Sequence, residues 1–356
     1  MPFNQPSITI ESALFHQTAT TLFGKTPYKL QVEVGSAILS AVNNCNTIRL
    51  LCVRPNGGGK TLLFTSTAAT LKGITLCIIP LLSLGSDQVT KLITSTRSSA
   101  HIITGIHLDE LPVSQHGKLL MNLPMYDTKT KTVIIFTSPQ SLFHPSSPLL
   151  EYLLAESSRL SMVVMDEIHL ACHFGYSFRK EFRKLKPALF DKIHSSIPLL
   201  FLTATCTSRI KGAFESLFGV QITDDHWPSA KQMENRKVTL NVHYSTKPFP
   251  FVTRSLKQYI TSTLPLPNKV IVYSNQRTKI VACAERVEAF FDDDVDLWER
   301  DVITLVGTLT REEKTHLINV FLDNNETNLN VLCATSGVGN AGIDSPNIRA
   351  VFRING

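Results

Sequence analysis

The sequence predicts an α/β protein of two units with mostly parallel sheets, and three features carry that prediction. The chain has 356 residues, enough for two domains of roughly 100–200 residues each. Strand-sized apolar runs alternate with helical stretches, the pattern of a doubly wound sheet. That pattern breaks at the aperiodic stretch Ile222–Lys237 and then begins again. The boundaries read from this are an N-terminal extension over residues 1–20, a first domain over 21–228 and a second over 229–356.

In the first domain the expected strands are Arg49–Val53, Thr75–Ile79, Val133–Thr137, Ser161–Met165 and Leu199–Thr203. Each is a short run of mainly branched or aromatic apolar residues bounded by polar or turn-forming ones. Helices are expected over Thr61–Leu71, Ser86–Ile93 and Phe178–Leu189. In the second domain the strands are Val238–Tyr244, Lys269–Tyr273, Val302–Val306, Asn330–Ala334 and Ala350–Ile354. The Pro-rich Thr263–Asn268 reads as a loop entering a strand.

Composition bounds the possibilities. Hydrophobic residues make up 43% and charged residues 18%, so the chain can bury cores and does not read as disordered. Its apolar runs stay strand-sized, short of the ~18–20 residues of a membrane span. Met1–Ile10 lacks the basic flank and long apolar stretch of a secretory signal, so an intracellular, nuclear location is expected. The net charge of +6 is compatible with a polyanionic partner and is weak support by itself. The seven cysteines are scattered with no CxxC pair, which reads as reduced core thiols rather than a zinc framework.

The most informative segment is Leu50–Thr61. An apolar strand ends in Arg54-Pro55-Asn56-Gly57-Gly58-Gly59, and Lys60-Thr61 opens a helix. Backbone N–H groups in such a turn point at phosphate oxygens, and the helix N-terminus adds partial positive charge. Asn56, Gly57, Gly58, Gly59, Lys60 and Thr61 are therefore the expected cradle of a nucleotide triphosphate. Lys60 would reach the β- and γ-phosphates and Thr61 would offer its hydroxyl to Mg²⁺. The strict G-x-x-x-x-G-K-[ST] pattern is not met, because its first glycine falls on Arg54.

A second strand, Ser161–Met165, delivers Asp166-Glu167-Ile168-His169 at its end. Two carboxylates at a buried strand terminus are costly without a cation. Asp166 is expected to hold Mg²⁺, Glu167 to deprotonate the attacking water, and His169 to join them. Leu199–Thr203 runs into Ala204-Thr205, where the Thr203 and Thr205 hydroxyls would sense the nucleotide state through His169 or the acids.

Taken in order, these elements resemble superfamily 2 helicases, and two stretches narrow the resemblance to the RecQ family. The first is Asp166–Phe182, which is similar to the acid box and aromatic-rich loop of that family. The resemblance implies that His173, Phe174, Phe178 and Arg179 couple single-stranded DNA to hydrolysis. Aromatic stacking on bases and an Arg on phosphate suit that role, while Phe182 is read as a packing residue. The second stretch is Ile79–Val89, similar to the motif that lines the DNA path, which implies DNA contacts at Ser83, Asp87 and Gln88. Thr137–Leu142 resembles a further DNA-contacting element and implicates Ser138 and Pro139.

Upstream, Phe23-Gly24 and Tyr28–Glu33 resemble the adenine-reading segment, with Gln31 on the base edge. The family's aromatic and Arg stand one residue farther from that Gln than Tyr28 and Lys29 do. In the second domain, Ala334–Arg349 resembles the segment whose Gly342 and Asp344 face the nucleotide, with one extra residue before Gly342-Ile343-Asp344. The arginine-finger segment that follows in the family is not reached. The resemblance implies two RecA-like (P-loop NTPase) domains, the second incomplete. It also implies ATP and Mg²⁺ as cofactors, single-stranded DNA and duplex junctions as partners, and 3′–5′ helicase activity. The alternative kept beside it is a non-catalytic ATP- and nucleic-acid-binding remnant. An RNA helicase of DEAD or DEAH type ranks lower, because the aromatic loop at Phe174–Phe178 is foreign to that type.

Overall fold

A computed structural model describes residues 9–55, 57–79, 89, 92, 103–123, 131–174, 180–227, 241, 244, 248–262, 269–292, 300–322, 329–335 and 348–354. The chain divides into two compact units, Met1–Lys237 and Val238–Gly356.

The first unit opens with two helices, α1 (Ile10–Phe23) and α2 (Lys29–Asn43). The Thr9 side chain accepts from the Ser12 N–H and caps α1, and Gly24 in the left-handed region ends it. Strand β1 (Arg49–Val53), helix α3 (Lys60–Leu71) and strand β2 (Gly73–Ile78) follow. Next come β3 (Ile103–His107), α4 (Val113–Asn122), β4 (Thr132–Thr137), α5 (Pro139–Leu142) and α6 (Leu149–Ala155). The unit continues with β5 (Leu160–Met165), α7 (Ile168–Phe174), β6 (Leu199–Thr203), α8 (Ser208–Phe218) and β7 (Asp224–His226). Its seven strands form one sheet in the order β3-β4-β2-β5-β6-β1-β7, and every pair is parallel.

Alternation along the strands divides the core between the two faces of this sheet. Leu51, Val53, Leu76, Ile78 and Val163 belong to one cluster, and Leu50, Cys52, Cys77 and Val164 to the other. Strands β2 and β4 are buried at every position, as expected of central strands covered on both sides.

The second unit contains α9 (Pro248–Ser262), β8 (Lys269–Ser274), α10 (Arg277–Asp292), β9 (Arg300–Leu305), α11 (Arg311–Leu322), β10 (Leu329–Thr335) and β11 (Ile348–Ile354). Its strands pair in parallel in the order β11-β8-β10-β9. The Lys269 ammonium is buried and donates to the Phe321 carbonyl at the end of α11, where the helix macrodipole favours a cation.

Three sequence expectations meet a different structure. Helix α1 crosses the boundary drawn at residue 20 and packs on α2 and α3, with Phe15 fully buried. A Cβ on Gly35 would lie 2.3 Å from the Phe15 ring, so α2 keeps a glycine where α1 presses on it. The helix expected over Phe178–Leu189 is instead a 3₁₀ turn, Lys180–Lys184, followed by a π turn, Lys186–Phe190. Pro187 lacks the N–H and crowds the preceding turn, which accounts for the break. In the expected strand Val238–Tyr244, the described residues Asn241 and Tyr244 lie in no strand, and the others fall outside the described residues. Of Ser86–Ile93 only Val89 and Leu92 are described, and both are helical.

Candidate functional site

Strands β5, β6 and β1 are neighbours in the sheet. Their C-terminal ends therefore bring three loops side by side, on the edge where open α/β sheets bind ligands.

The first loop joins β1 to α3. Gly57 and Gly59 take left-handed backbone conformations (φ 73° and 79°), and Gly59 is the N-cap of α3. The Gly58 N–H donates to the Pro55 carbonyl at 2.9 Å. Lys60 is thus the first helical residue, its ammonium beside the positive end of the helix and ready to share an anion with it. Asn56 lies outside the described residues.

The second loop follows β5. Asp166 is buried, and its N–H donates to the Ile78 carbonyl. Its Oδ1 accepts from the Glu167 N–H at 2.9 Å. Glu167 has φ 50°, a left-handed conformation that costs a non-glycine residue ~1 kcal/mol or more and clusters at functional sites. The turn sends its carboxylate across to the start of α3, where Oε1 accepts from Lys60 Nζ at 2.5 Å. Both side chains are mostly buried, 12% and 17% exposed.

The third loop follows β6. Thr203 is fully buried. Its hydroxyl donates to the Thr205 carbonyl and accepts from the Thr205 N–H. His169 Nδ1 lies 2.9 Å from this hydroxyl and 3.2 Å from Glu167 Oε2. The Thr203 hydroxyl has given its proton to Thr205, so an N–H at His169 Nδ1 would face both oxygens. The Arg54 N–H donates to the Thr203 carbonyl at 2.9 Å, which ties the third loop to the first. Lys60, Glu167, His169 and Thr203 are thereby one connected polar group.

Burial alone would raise the Glu167 pKa, but the nearby His169 N–H and the charge and hydrogen bond of Lys60 outweigh it, holding the carboxyl at about 2 against an ordinary 4.5. A depressed carboxylate pKa stabilises the fold above its unfolded value, and the contribution is lost as pH falls through the folded value. Between 4.5 and about 2, the wild type should therefore lose stability that Glu167→Gln does not. Urea unfolding of both proteins at about pH 5 and about pH 3 measures this. Identical pH dependence would contradict the assignment.

Other expected residues are placed differently. Gln31 is buried; its Oε1 accepts from the Tyr28 N–H at 2.6 Å and its Nε2 donates to the Gly59 carbonyl at 2.8 Å. It is a strut between the start of α2 and the glycine loop, and a Cβ on Gly59 would lie 2.3 Å from its Nε2. Ser138 and Pro139 were expected on DNA, but both are buried. The Ser138 hydroxyl caps α5 and donates to Asp109 Oδ1 at 2.5 Å, while its N–H donates to Asp109 Oδ2 at 2.7 Å. Ser141 also donates to Asp109. These bonds commit Ser138 to holding the β4–α5 turn, and Gln140 is the exposed member of that segment.

Thr205 is exposed, and His173 and Phe174 end α7. Ser83, Asp87, Gln88, Phe178, Arg179, Gly342 and Asp344 lie outside the described residues, as do the side chains of His173 and Phe174. Sequence reading missed Asp109 and Arg54; the only signal for Arg54 was its place on the missing glycine of the strict loop pattern.

Three oxygen-bearing groups, Thr61, Asp166 and Glu167, belong to these loops, a donor set that suits a hard cation. Among the described residues no three metal-ligating side chains cluster.

Residues 28–212 match the family described as DEAD/DEAH box helicase. A probable ATP-dependent DNA helicase RecS of Bacillus subtilis is 27% identical over 340 residues, covering 95% of this chain and 60% of that one. The ATP-dependent DNA helicase Q5 of Rattus norvegicus is 27% identical, covering 95% and 33%. An ATP-dependent DNA helicase Q-like 4B of Arabidopsis thaliana is 30% identical over 177 residues, covering 49% of this chain and 14% of that one. The chain thus spans 14–60% of the length of these relatives.

Two solved structures share its fold. Dbp5 of S. cerevisiae, bound to RNA and ADP BeF3, is 14% identical with a TM-score of 0.61 and covers 97% of this chain and 78% of that one. Helicase Lhr of Mycobacterium smegmatis, bound to ssDNA and AMP-PNP, is 18% identical with a TM-score of 0.62 and covers 97% and 44%. The architecture is the RecA-like α/β fold of helicases.

Proposed function

The chain belongs to the DEAD/DEAH box helicase family, and from that premise we propose that it is an ATP-driven DNA helicase motor of RecQ type, working 3′ to 5′ on single-stranded DNA at duplex junctions. The observation that carries the reading is the convergence of Lys60, Glu167, His169 and Thr203 at three adjacent strand ends. RecQ-type DNA helicases are also the relatives that match along most of the chain.

In this reading the triphosphate of ATP occupies the start of α3, with the N–H groups of Gly57, Gly59 and Lys60 and the Lys60 ammonium on its oxygens. Thr61 and Asp166 would hold Mg²⁺, whose chemistry there would be to offset negative charge on the phosphate oxygens. Glu167 is the general base that takes the proton of the attacking water. Lys60 is held by Glu167 before nucleotide arrives, so binding exchanges one anion for another and releases the carboxylate for the water. His169 and Thr203 then carry the change from Glu167 to the β6 loop, next to the segment assigned to DNA.

ATP turnover measured with and without single-stranded DNA tests this, together with unwinding of duplexes carrying a 3′ or a 5′ overhang. Stimulation by DNA and preference for the 3′ overhang are expected. Binding of ATP without DNA-stimulated turnover would favour the non-catalytic remnant, and stimulation by RNA alone would favour an RNA helicase.

A further inference from the structure

We infer that Lys180, Arg183 and Lys184, the exposed cations of the 3₁₀ turn Lys180–Lys184, grip the phosphodiester backbone of single-stranded DNA, in place of Ser138 and Pro139. This rests on the reading of the chain as a DNA motor. It adds a surface outside the DNA-coupling residues that the resemblance implies, which end at Arg179.

Phe182 and Leu185 are fully buried and pin the turn to the core, which leaves Lys180, Arg183 and Lys184 exposed. A 3₁₀ helix has three residues per turn, so Lys180 and Arg183 stand in line, about 6 Å apart along its axis. The turn packs on α5. There the Lys184 ammonium lies 5.9 Å from the centroid of the Phe143 ring, the residue that ends α5. That is near the outer limit of ~6 Å for a cation over an aromatic face, and it leaves the ammonium's N–H donors for an anion. The two acids of residues 180–192 do not cancel this charge. Asp191 is engaged by Lys186 at 2.7 and 2.8 Å, and Glu181 is one half-buried carboxylate against three exposed cations.

The neighbouring β4–α5 turn has no donors left to offer at Ser138 and Pro139. The Ser138 N–H and hydroxyl both go to the buried Asp109 carboxylate, and proline has no N–H. A phosphate reaching this edge therefore meets the cations of the adjoining turn, with the exposed Gln140 and His144 beside them. The kind of polyanion follows from what precedes the turn in the chain. Phe174 and Phe178 stand just upstream, and aromatic side chains beside a cationic track are the combination that holds a single strand, bases on rings and phosphates on charges.

Fluorescence anisotropy with labelled oligothymidine, between about 50 and 200 mM salt, tests the surface. The triple variant Lys180→Gln, Arg183→Gln, Lys184→Gln should bind more weakly at low salt. Its plot of log affinity against log salt should be shallower by about 2, roughly 0.7 for each phosphate contact to a single strand. A control triple, Lys25→Gln, Lys72→Gln, Lys118→Gln, removes the same charge from exposed positions elsewhere on the unit and should keep the wild-type slope. Lys180→Arg, Arg183→Lys, Lys184→Arg together should keep it too, because charge on phosphate is what counts. Arg183→Gln alone, with a slope shallower by about 0.7, supplies the decisive arm if the triple variant does not fold. A mixed-sequence oligonucleotide should show the same losses, since backbone contacts carry no base preference. Equal slopes in the two triple variants, the same loss in the charge-keeping variant, or a loss confined to one base sequence would overturn the surface and leave the motor reading intact. Failure of the wild type to bind any single strand would overturn both.

Discussion

Glu167→Gln should lower ATP turnover by about 10²–10⁴, the contribution of a positioned general base, while ATP binds as tightly as before or tighter. The second half of this expectation distinguishes it from simple damage. In the free protein Glu167 holds Lys60 at 2.5 Å, and the phosphates need that ammonium. The neutral amide gives up the ionic part of this hold, so the lysine is released at lower cost. The amide also fits the same turn, being isosteric and able to accept from Lys60. Single-turnover hydrolysis and equilibrium binding, measured separately, check the split. Turnover within tenfold of wild type, or loss of binding and turnover together, would remove Glu167 from the role of base.

Lys60→Ala should cut kcat/KM for ATP by about 10²–10³, the usual cost of deleting one preorganised donor from a transition-state oxyanion, and most of the loss should fall on kcat. The ammonium is the one cation hydrogen-bonded to Glu167 among the described contacts. Its removal leaves a mostly buried carboxylate with His169 alone. The burial that already pushes the Glu167 pKa upward then meets less opposition, and the carboxyl should titrate closer to its ordinary value. Unfolding stability should fall by ~1–3 kcal/mol near neutral pH, less than for a fully buried orphaned charge because His169 remains. Comparing Lys60→Ala, Glu167→Gln and the double mutant checks this. If the bridge carries the effect, the double mutant is more stable than Lys60→Ala alone. Additive losses would mean that the two side chains act independently.

The parts of the fold legible in sequence are those that burial imposes on composition. Strands β1, β2, β4, β5 and β6 are apolar runs that end in polar turns, so both position and type could be read. β3 and β7 were not. β3 contains Thr104, Gly105 and His107, and its residues are mostly half-buried; β7 is Asp-Asp-His, held by the ladder to β1 rather than by any apolar signal of its own. Helix α1 was passed over although Phe15, Ala19 and Phe23 recur every fourth residue, because the Thr-rich turns between them lack a clear polar face.

The site divides in the same way. Thr203 ends a strand, and Lys60, Glu167 and His169 stand in the turns and first helical residues that follow neighbouring strands, where the sequence itself fixes the meeting place. Gln31 and Ser138 were assigned to ligands on the resemblance of their segments to the family's. Besides local partners in the Tyr28 and Ser141 N–H groups, each is held by a distant one, Gly59 and Asp109, 28 and 29 residues away. A side chain's prior commitments at that range are set by packing, and a motif does not record them.

The backbone of Glu167 has a consequence beyond the reaction. Glycine would relax the left-handed turn that glutamate occupies at φ 50°, and would delete the carboxylate in the same substitution. Selection for a sturdier fold and selection for a working motor therefore pull against each other at one codon. A lineage that no longer needed the activity would be free to drift toward robustness there, so the residue at this turn is a gauge of whether the machine is still under use.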